Sequence, residues 1–291
     1  MQSGLFSEMV LIDANFKKAE GEAFDISHGV PFTRPIKIYA GDYDDLADVA
    51  IVVITAGAAQ KPGETRLDLV HKNINIFKSI IPEIVKRDFQ GILLIVANPV
   101  DILTYTALKL SGYAPNRVIG SGTVLDTARL KERLGEHLEV DSRSVHAFIV
   151  GEHGDSEIAA WSSANVSGIP LHDFCEMRGH HDHEGATSEI AEKVKNSAYE
   201  IIQRKGATYY GIAMSVKRIC EAIIRDERSI LPISTMMDGE YGIKDVVLSM
   251  PSIVGAEGFI SKVPISLSED EIKALHKSAE TLKSVLEEAL E

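Results

Sequence analysis

Cysteine is nearly absent from the chain. Cys175 and Cys220 are its only two among 291 residues. Two thiols make neither a disulfide framework nor a metal-ligand pair, which fits a reducing cytosol and two ordinary small core residues. Basic charge is also short, with 30 Lys and Arg against 43 Asp and Glu and a formal net charge of −13. Binding to a phosphate backbone needs a basic stripe that displaces counterions, so nucleic acid is excluded as a main partner. The longest apolar runs, at 49–55 and 92–97, fall far short of the roughly 20 residues that span a bilayer. The opening MQSGLFSE has neither the basic start nor the apolar stretch of a signal peptide. A cytoplasmic protein without membrane attachment is expected, and at about 100 to 200 residues per domain it has two domains or one large one.

Short runs rich in Val and Ile alternate with longer amphipathic stretches up to about residue 120. The runs are VLID ending at Asp13, IKIYA at 36–40, AIVVITA at 50–56, ILLIVAN at 92–98 and RVIG at 117–120. Within 65–87, Leu69, Ile76, Ile80 and Ile84 recur at helical spacing. This alternation predicts an α/β fold, a doubly wound parallel sheet wrapped by helices, with ligands at the C-terminal ends of the strands. After residue 145 the texture changes. A strand, VHAFIV, runs into GEHGD at 151–155. Two helices follow at 187–204 and 208–226, then a hairpin-like β region at 230–264, then a charged amphipathic helix at 268–290 with Ser268 and Asp270 as N-cap candidates. No linker, repeat or low-complexity tract divides the halves, which should pack as one unit. A dinucleotide-binding domain is expected over 1–121 and an α+β substrate domain over 122–291.

Several residues could carry chemistry. Asp13 ends a strand where dinucleotide folds keep a carboxylate for a ribose 2′-OH, yet no glycine-rich loop precedes it, and a plain turn residue explains it as well. The loop GAAQKPGETR at 57–66 could hinge over a site or simply connect two elements. Asn98, before Pro99, could aim an amide into the crevice or merely stop a strand. Asp126 and Arg129, three apart in LDTARL, share a helix face. His153 sits in a glycine-flanked turn and is the side chain best suited to exchange a proton near neutral pH. Asp126 could orient it. The cluster His180, His181, Asp182, His183 and Glu184 is rich in metal-ligand types. Ligands so close in sequence rarely close one site, so an exposed loop is expected there and no metal. The acidic run at 42–48 should cap a helix and face solvent.

In that order and spacing, VLIDAN, TAGAAQKPGETR, VANPVD, LDTARL and GEHGDS resemble the NAD-dependent L-lactate dehydrogenases of the lactate/malate dehydrogenase family, bacterial type. The resemblance implies a Rossmann-type domain, NAD as cofactor, and pyruvate and L-lactate as substrates in fermentative glycolysis. It implies His153 as the proton carrier oriented by Asp126, Arg129 as the fork for the substrate carboxylate, and Arg66 as the cation at the carbonyl oxygen. Gln60, Asn98 and Thr208 would complete the substrate contacts. Gln60 stands where malate-specific members carry arginine, so a second carboxylate would be buried unpaired. Asp13, Lys18, Tyr43, Gly57, Ala58, Ser79, Val96, Ala97, Asn98, Ser121 and Ile212 would contact the cofactor. Lys131 and His146 stand where bacterial members bind fructose 1,6-bisphosphate, lysine keeping the charge of an arginine but not its fork. A homotetramer is the family's usual state.

Two alternatives are weighed against this. One is a dehydrogenase for malate or a bulkier 2-oxo acid. The other is a binding protein or inactive relic, which the joint presence of His153, Asp126, Arg129 and Arg66 disfavours at the substrate end. By the resemblance Asp13 belongs to a second strand. The first strand and its glycine loop, on the order of 25 residues, are then expected upstream of Met1, their absence leaving two strands short of a partner and NAD binding impaired.

Overall fold

Branched side chains pack well on a pleated surface, and each of the five apolar runs forms a strand. These are β1 (Glu8–Leu11), β2 (Lys37–Ala40), β3 (Ile51–Ile54), β4 (Ile92–Ile95) and β5 (Val118–Gly120). The computed structural model describes residues 1–58 and 65–290, without the side chains of Arg66 and Leu290. Helices α1 (Phe16–Ser27), α2 (Arg66–Val85), α3 (Val100–Ser111) and α4 (Val124–Leu138) alternate with the strands. β1 lies parallel to β2, Glu8 opposite Lys37. β3, β4 and β5 are parallel, Ile51 opposite Ile92 and Leu93 opposite Val118. Among the described residues no strand joins β1 to β3, so each has a partner on one side only.

α2 starts at a capping box, in which the Thr65 hydroxyl accepts from the Asp68 N–H and the Asp68 carboxylate accepts from the Thr65 N–H. Its buried stripe is Val70, Asn73, Ile74, Phe77, Ile81 and Ile84. The sequence spacing therefore identifies the helix but turns its face, since Leu69, Ile76 and Ile80 are only half-buried flanks. In the acidic run, Asp42 and Asp45 form a capping box for one 3-10 turn over Tyr43–Leu46.

VHAFIV is not one strand. It divides into β6 (Val145–His146) and β7 (Ile149–Val150). β7 pairs with β8 (Ile158–Ala159), whereas β6 pairs with β9 (Asn165–Val166), itself paired with β10 (Ile169–Pro170). α5 (Leu171–Met177) and α6 (His183–Lys205) follow, packing with α4 over Leu130, Leu134, Val145, Ile149, Leu171 and Ile190. The expected loop at the histidine cluster ends at Asp182, which caps α6, so His183 and Glu184 are helical.

α7 (Tyr210–Ile224) leads into the antiparallel strands β11 (Ser229–Asp238), β12 (Lys244–Gly255) and β13 (Gly258–Lys262). They extend the parallel sheet, because Ser234 of β11 pairs with Gly120 of β5, giving the order β13-β12-β11-β5-β4-β3. The junction is tight: a Cβ on Gly120 would stand 2.5 Å from Thr104 Oγ1 and 2.8 Å from Ser234 Cβ. α8 (Glu269–Leu290) is capped by Ser268, whose hydroxyl accepts from the Glu271 N–H, while Asp270 lies inside the helix. Alternation along β4 assigns the two faces. Leu93 and Ile95 pack with α2, α3 and α8 residues such as Phe77, Leu103 and Leu282. Ile92 and Leu94 meet Ile219 and Ile223 of α7. Helices thus cover both faces of the sheet, and the strand ends are left for a site.

Candidate active site

Two threonine hydroxyls set α4 against β7. Thr123 Oγ1 donates to the Ile149 carbonyl and Thr127 Oγ1 accepts from the Ile149 N–H at 2.9 Å. Asp126 lies between them, in the first turn of α4, and the chain leaving β7 bends back at Gly151 toward it. Gly151 has φ +89, and a Cβ there would meet Ile158 Cδ1 at 2.7 Å, so both conformation and space select glycine. His153 Nδ1 is 2.6 Å from Asp126 Oδ2, while Arg129 Nη1 donates to Asp126 Oδ1 at 2.8 Å. One carboxylate, 3% exposed, is thus divided between an imidazole and a guanidinium.

Burial alone would discharge the imidazole, but the Asp126 anion and its hydrogen bond outweigh it and raise the His153 pKa to about 9. Asp126 is also buried, yet His153 and Arg129 hold its pKa below the usual carboxylate range. The ring therefore has a fixed proton on Nδ1 and offers Nε2 as donor or acceptor. Beside it, Arg129 has five N–H donors, of which one is on Asp126. This is a proton carrier next to a cation suited to a carboxylate.

The C-terminal ends of β1, β3, β4 and β5 carry the residues expected at a dinucleotide. Asp13 is exposed, accepts from the Asn15 N–H at 2.8 Å and lies 3.9 Å from Lys18 Nζ. Gly57 and Ala58 follow β3, Val96, half-buried, Ala97, buried, and exposed Asn98 follow β4, and buried Ser121 follows β5. Tyr43 is half-buried under the Arg87 guanidinium, and the Ser79 hydroxyl donates to the Ile76 carbonyl on the exposed side of α2. Thr208 lies in the α6–α7 connection and Ile212 in the first turn of α7, both half-buried. α7 reaches the site because Gly211 faces Leu125 of α4, where a Cβ would stand 2.9 Å from Leu125 Cδ1. Lys131 is half-buried on α4, its pKa lowered by burial, and His146 is exposed on β6. Gln60 lies outside the described residues, and so does the Arg66 side chain.

Three contributors have no counterpart in the sequence reading. Asn73, fully buried on α2, accepts from the Ala58 N–H at 2.8 Å and donates to the Asn98 carbonyl at 2.8 Å, so it ties the two strand-end loops together. Its signal was a polar residue on an otherwise apolar helical stripe. Asp101, on the first turn of α3, accepts from the His153 N–H at 2.7 Å and from the Ser234 hydroxyl. Glu157 brings its carboxyl within 4.8 Å of the Asp126 and His153 ligand atoms, and burial followed by the Asp126 charge pushes its pKa well up. Asn73→Ala is expected to orphan the Ala58 N–H and the Asn98 carbonyl, each at about 1–3 kcal/mol. A lower denaturation midpoint in urea would check this.

The family model of the lactate/malate dehydrogenase NAD binding domain matches residues 1–120, and that of the alpha/beta C-terminal domain matches 123–291. An L-lactate dehydrogenase of Acetivibrio thermocellus is 56% identical over 98% of this chain and 90% of its own length. L-lactate dehydrogenase 1 of Clostridium acetobutylicum is 54% identical over 99% and 92%. Among solved structures, a lactate dehydrogenase from a Medee basin deep-sea metagenome library superposes with TM-score 0.97 at 45% identity, covering 100% of this chain and 93% of that one. The minor L-lactate dehydrogenase of Enterococcus mundtii in its ligands-bound form gives TM-score 0.95 at 45% identity, over 98% and 91%. With both family models matched and this identity sustained along its length, the chain belongs to the lactate/malate dehydrogenase family.

Proposed function

We propose that the chain is an NAD-dependent L-lactate dehydrogenase that interconverts pyruvate and L-lactate in fermentative glycolysis. The observation that carries the reading is the Asp126 carboxylate shared between His153 and Arg129. The residues fit an NAD-type dinucleotide, with an exposed carboxylate at Asp13 for the adenosine ribose and small residues at Gly57, Ala58 and Ala97 that let a ligand approach the strand ends. The same carboxylate repels a 2′-phosphate, which favours NAD over NADP. When bound, the nicotinamide supplies hydride chemistry at the substrate C2.

The side chains do the rest. Arg129 binds the substrate carboxylate and fixes which face of C2 is presented. In pyruvate reduction His153 gives a proton from Nε2 to the carbonyl oxygen as it becomes the lactate hydroxyl, and in lactate oxidation the neutral ring takes that proton back. Asp126 holds the ring in the tautomer that permits both. Arg66 is the cation assigned to the developing alkoxide, Asn98 a further hydrogen-bonding group, and Thr208 borders the methyl group. Gln60 leaves no cation for a second carboxylate. Pyruvate is therefore expected to exceed oxaloacetate in kcat/KM by roughly 10²-fold or more. Side-by-side values with NADH for pyruvate, oxaloacetate and 2-oxoisocaproate test this, and preference for either of the other two would reassign the substrate.

The finer assignments follow the same reading. Residues 1–121 serve the dinucleotide, with Lys18, Tyr43, Ser79, Val96, Ser121 and Ile212 as further contacts, and 122–291 serve the substrate. Phe24, Phe32, Tyr210 and Met214 are each more than half exposed, apolar surface that a homotetramer would cover. Lys131 and His146 are the groups assigned to fructose 1,6-bisphosphate as activator. A titration in which the sugar phosphate leaves pyruvate affinity unchanged would remove that role. Among the described residues no helix is long and apolar enough to cross a membrane, and both cysteines are free, in keeping with a cytoplasmic location.

A further inference from the structure

α5 and the start of α6 meet at a corner away from the His153 site. His172 and Glu176 stand four residues apart on α5 and so share a face, and α6 delivers His183 as its first residue. One ring nitrogen or carboxylate oxygen from each of the three lies within 4.8 Å of the others. His183 Nε2 is 2.7 Å from Glu176 Oε1, and the His172 and His183 rings stack with centroids 4.1 Å apart. Neutral imidazoles are good metal ligands. The same corner borders a cavity of about 220 Å³ lined by His137, Cys175, His180 and Trp161.

We propose that His172, Glu176 and His183 bind a divalent transition cation of the zinc class, with solvent completing the coordination. Two nitrogens and one carboxylate oxygen form a mixed set suited to such a cation, whereas magnesium and calcium favour all-oxygen shells. Ligand atoms of a tetrahedral zinc site stand about 3.3 Å apart. Small side-chain rotations reach that spacing, since the His172 and Glu176 side chains are 68% and 47% exposed. Only His183 comes from the histidine-rich run at 180–184. The other two ligands lie on the preceding helix, and for that reason the sequence run alone did not disclose the site. A bound cation would staple α5 to α6, the helix whose Tyr199 hydroxyl donates to Asp155 at 3.0 Å, two residues beyond His153.

The test is calorimetric titration of the chelator-treated full chain with zinc chloride. One saturable site per chain is expected. His172→Ala and His183→Ala should each weaken it by about 10- to 100-fold or more while retaining pyruvate reduction as a check of folding. Cobalt(II) at the same site should give the visible absorption of four-coordinate nitrogen and oxygen ligation. No saturable binding, unchanged affinity in His183→Ala, or loss of binding only in His181→Ala or Cys175→Ser would overturn the proposal.

Discussion

Asp126→Asn is expected to lower kcat for pyruvate reduction by about 10²- to 10⁴-fold and to move the alkaline limb of the pH profile toward acid. In the wild type, Asp126 accepts from His153 Nδ1 and from Arg129 Nη1. An asparagine can still accept from Arg129, but its NH₂ then faces Nδ1, and the two donors conflict. The conflict is relieved if the ring takes the other tautomer, with Nδ1 accepting and the proton on Nε2. That neutral ring is a poor acid toward pyruvate, and its Nε2 cannot receive the proton of lactate.

The direction of the pH effect follows from the opposing influences on His153. Burial lowers its pKa and the Asp126 anion raises it, the net being a rise from 6.5 to about 9. Pyruvate reduction needs the protonated ring, so kcat/KM should be level near neutrality and fall above about pH 9, while lactate oxidation rises toward it. Without the anion, burial prevails and the fall occurs at lower pH. The folded-state pKa lies above the unfolded value, so this group's stabilisation is complete below pH 6.5 and is lost as pH rises through about 9. Chemical denaturation across that window should show the loss in the wild type and little of it in Asp126→Asn. A variant whose alkaline limb stayed in place would show that another group charges His153.

The parallel strands were legible in the sequence because each is a run of branched apolar residues between turn-forming ones. Asp126 and Arg129 could be placed on one helix face from their spacing alone. That His153 meets them could not, because the meeting depends on Thr123 and Thr127 gripping the Ile149 peptide, a contact between helix and strand with no local signature. The break in VHAFIV was hidden for a related reason. Both halves are apolar, and only their partners, β9 for one and β8 for the other, separate them. The merging of β11 with β5 rests on close packing at Gly120, which reads in sequence only as a small residue at the end of a strand. Asn73 and Asp101 were visible as polar residues within apolar helices, but what they bind lies on other strands and loops.

Asp101→Ala should destabilise the chain by about 2–5 kcal/mol, whereas Asp101→Asn should fold and change the pH dependence instead. The Asp101 carboxyl is 2% exposed and spans two elements, accepting from the His153 backbone N–H and from the Ser234 hydroxyl of β11. Alanine leaves the His153 N–H without its acceptor and the Ser234 hydroxyl with Ser249 alone, and creates a cavity at the junction of α3, β11 and the histidine loop. Asparagine keeps an acceptor for the His153 N–H. Its NH₂ can donate to Ser234 Oγ, which then turns its own proton to Ser249 Oγ, 3.1 Å away. Burial raises the Asp101 pKa from 3.8 to about 6, in spite of the hydrogen bonds from Ser234 and His153 that lower it. The folded state therefore holds this proton more tightly than the unfolded state, and wild-type stability from this group declines as pH rises from 3.8 through about 6. Asp101→Asn removes that decline, and its stability relative to wild type should improve across the same interval. It also removes a negative charge that helps hold His153 protonated, so the alkaline limb for pyruvate should move down, by less than in Asp126→Asn. Urea denaturation on both sides of pH 6, together with pH profiles of kcat/KM, separates the two roles. An alanine variant as stable as wild type would show that Asp101 does not anchor the histidine loop.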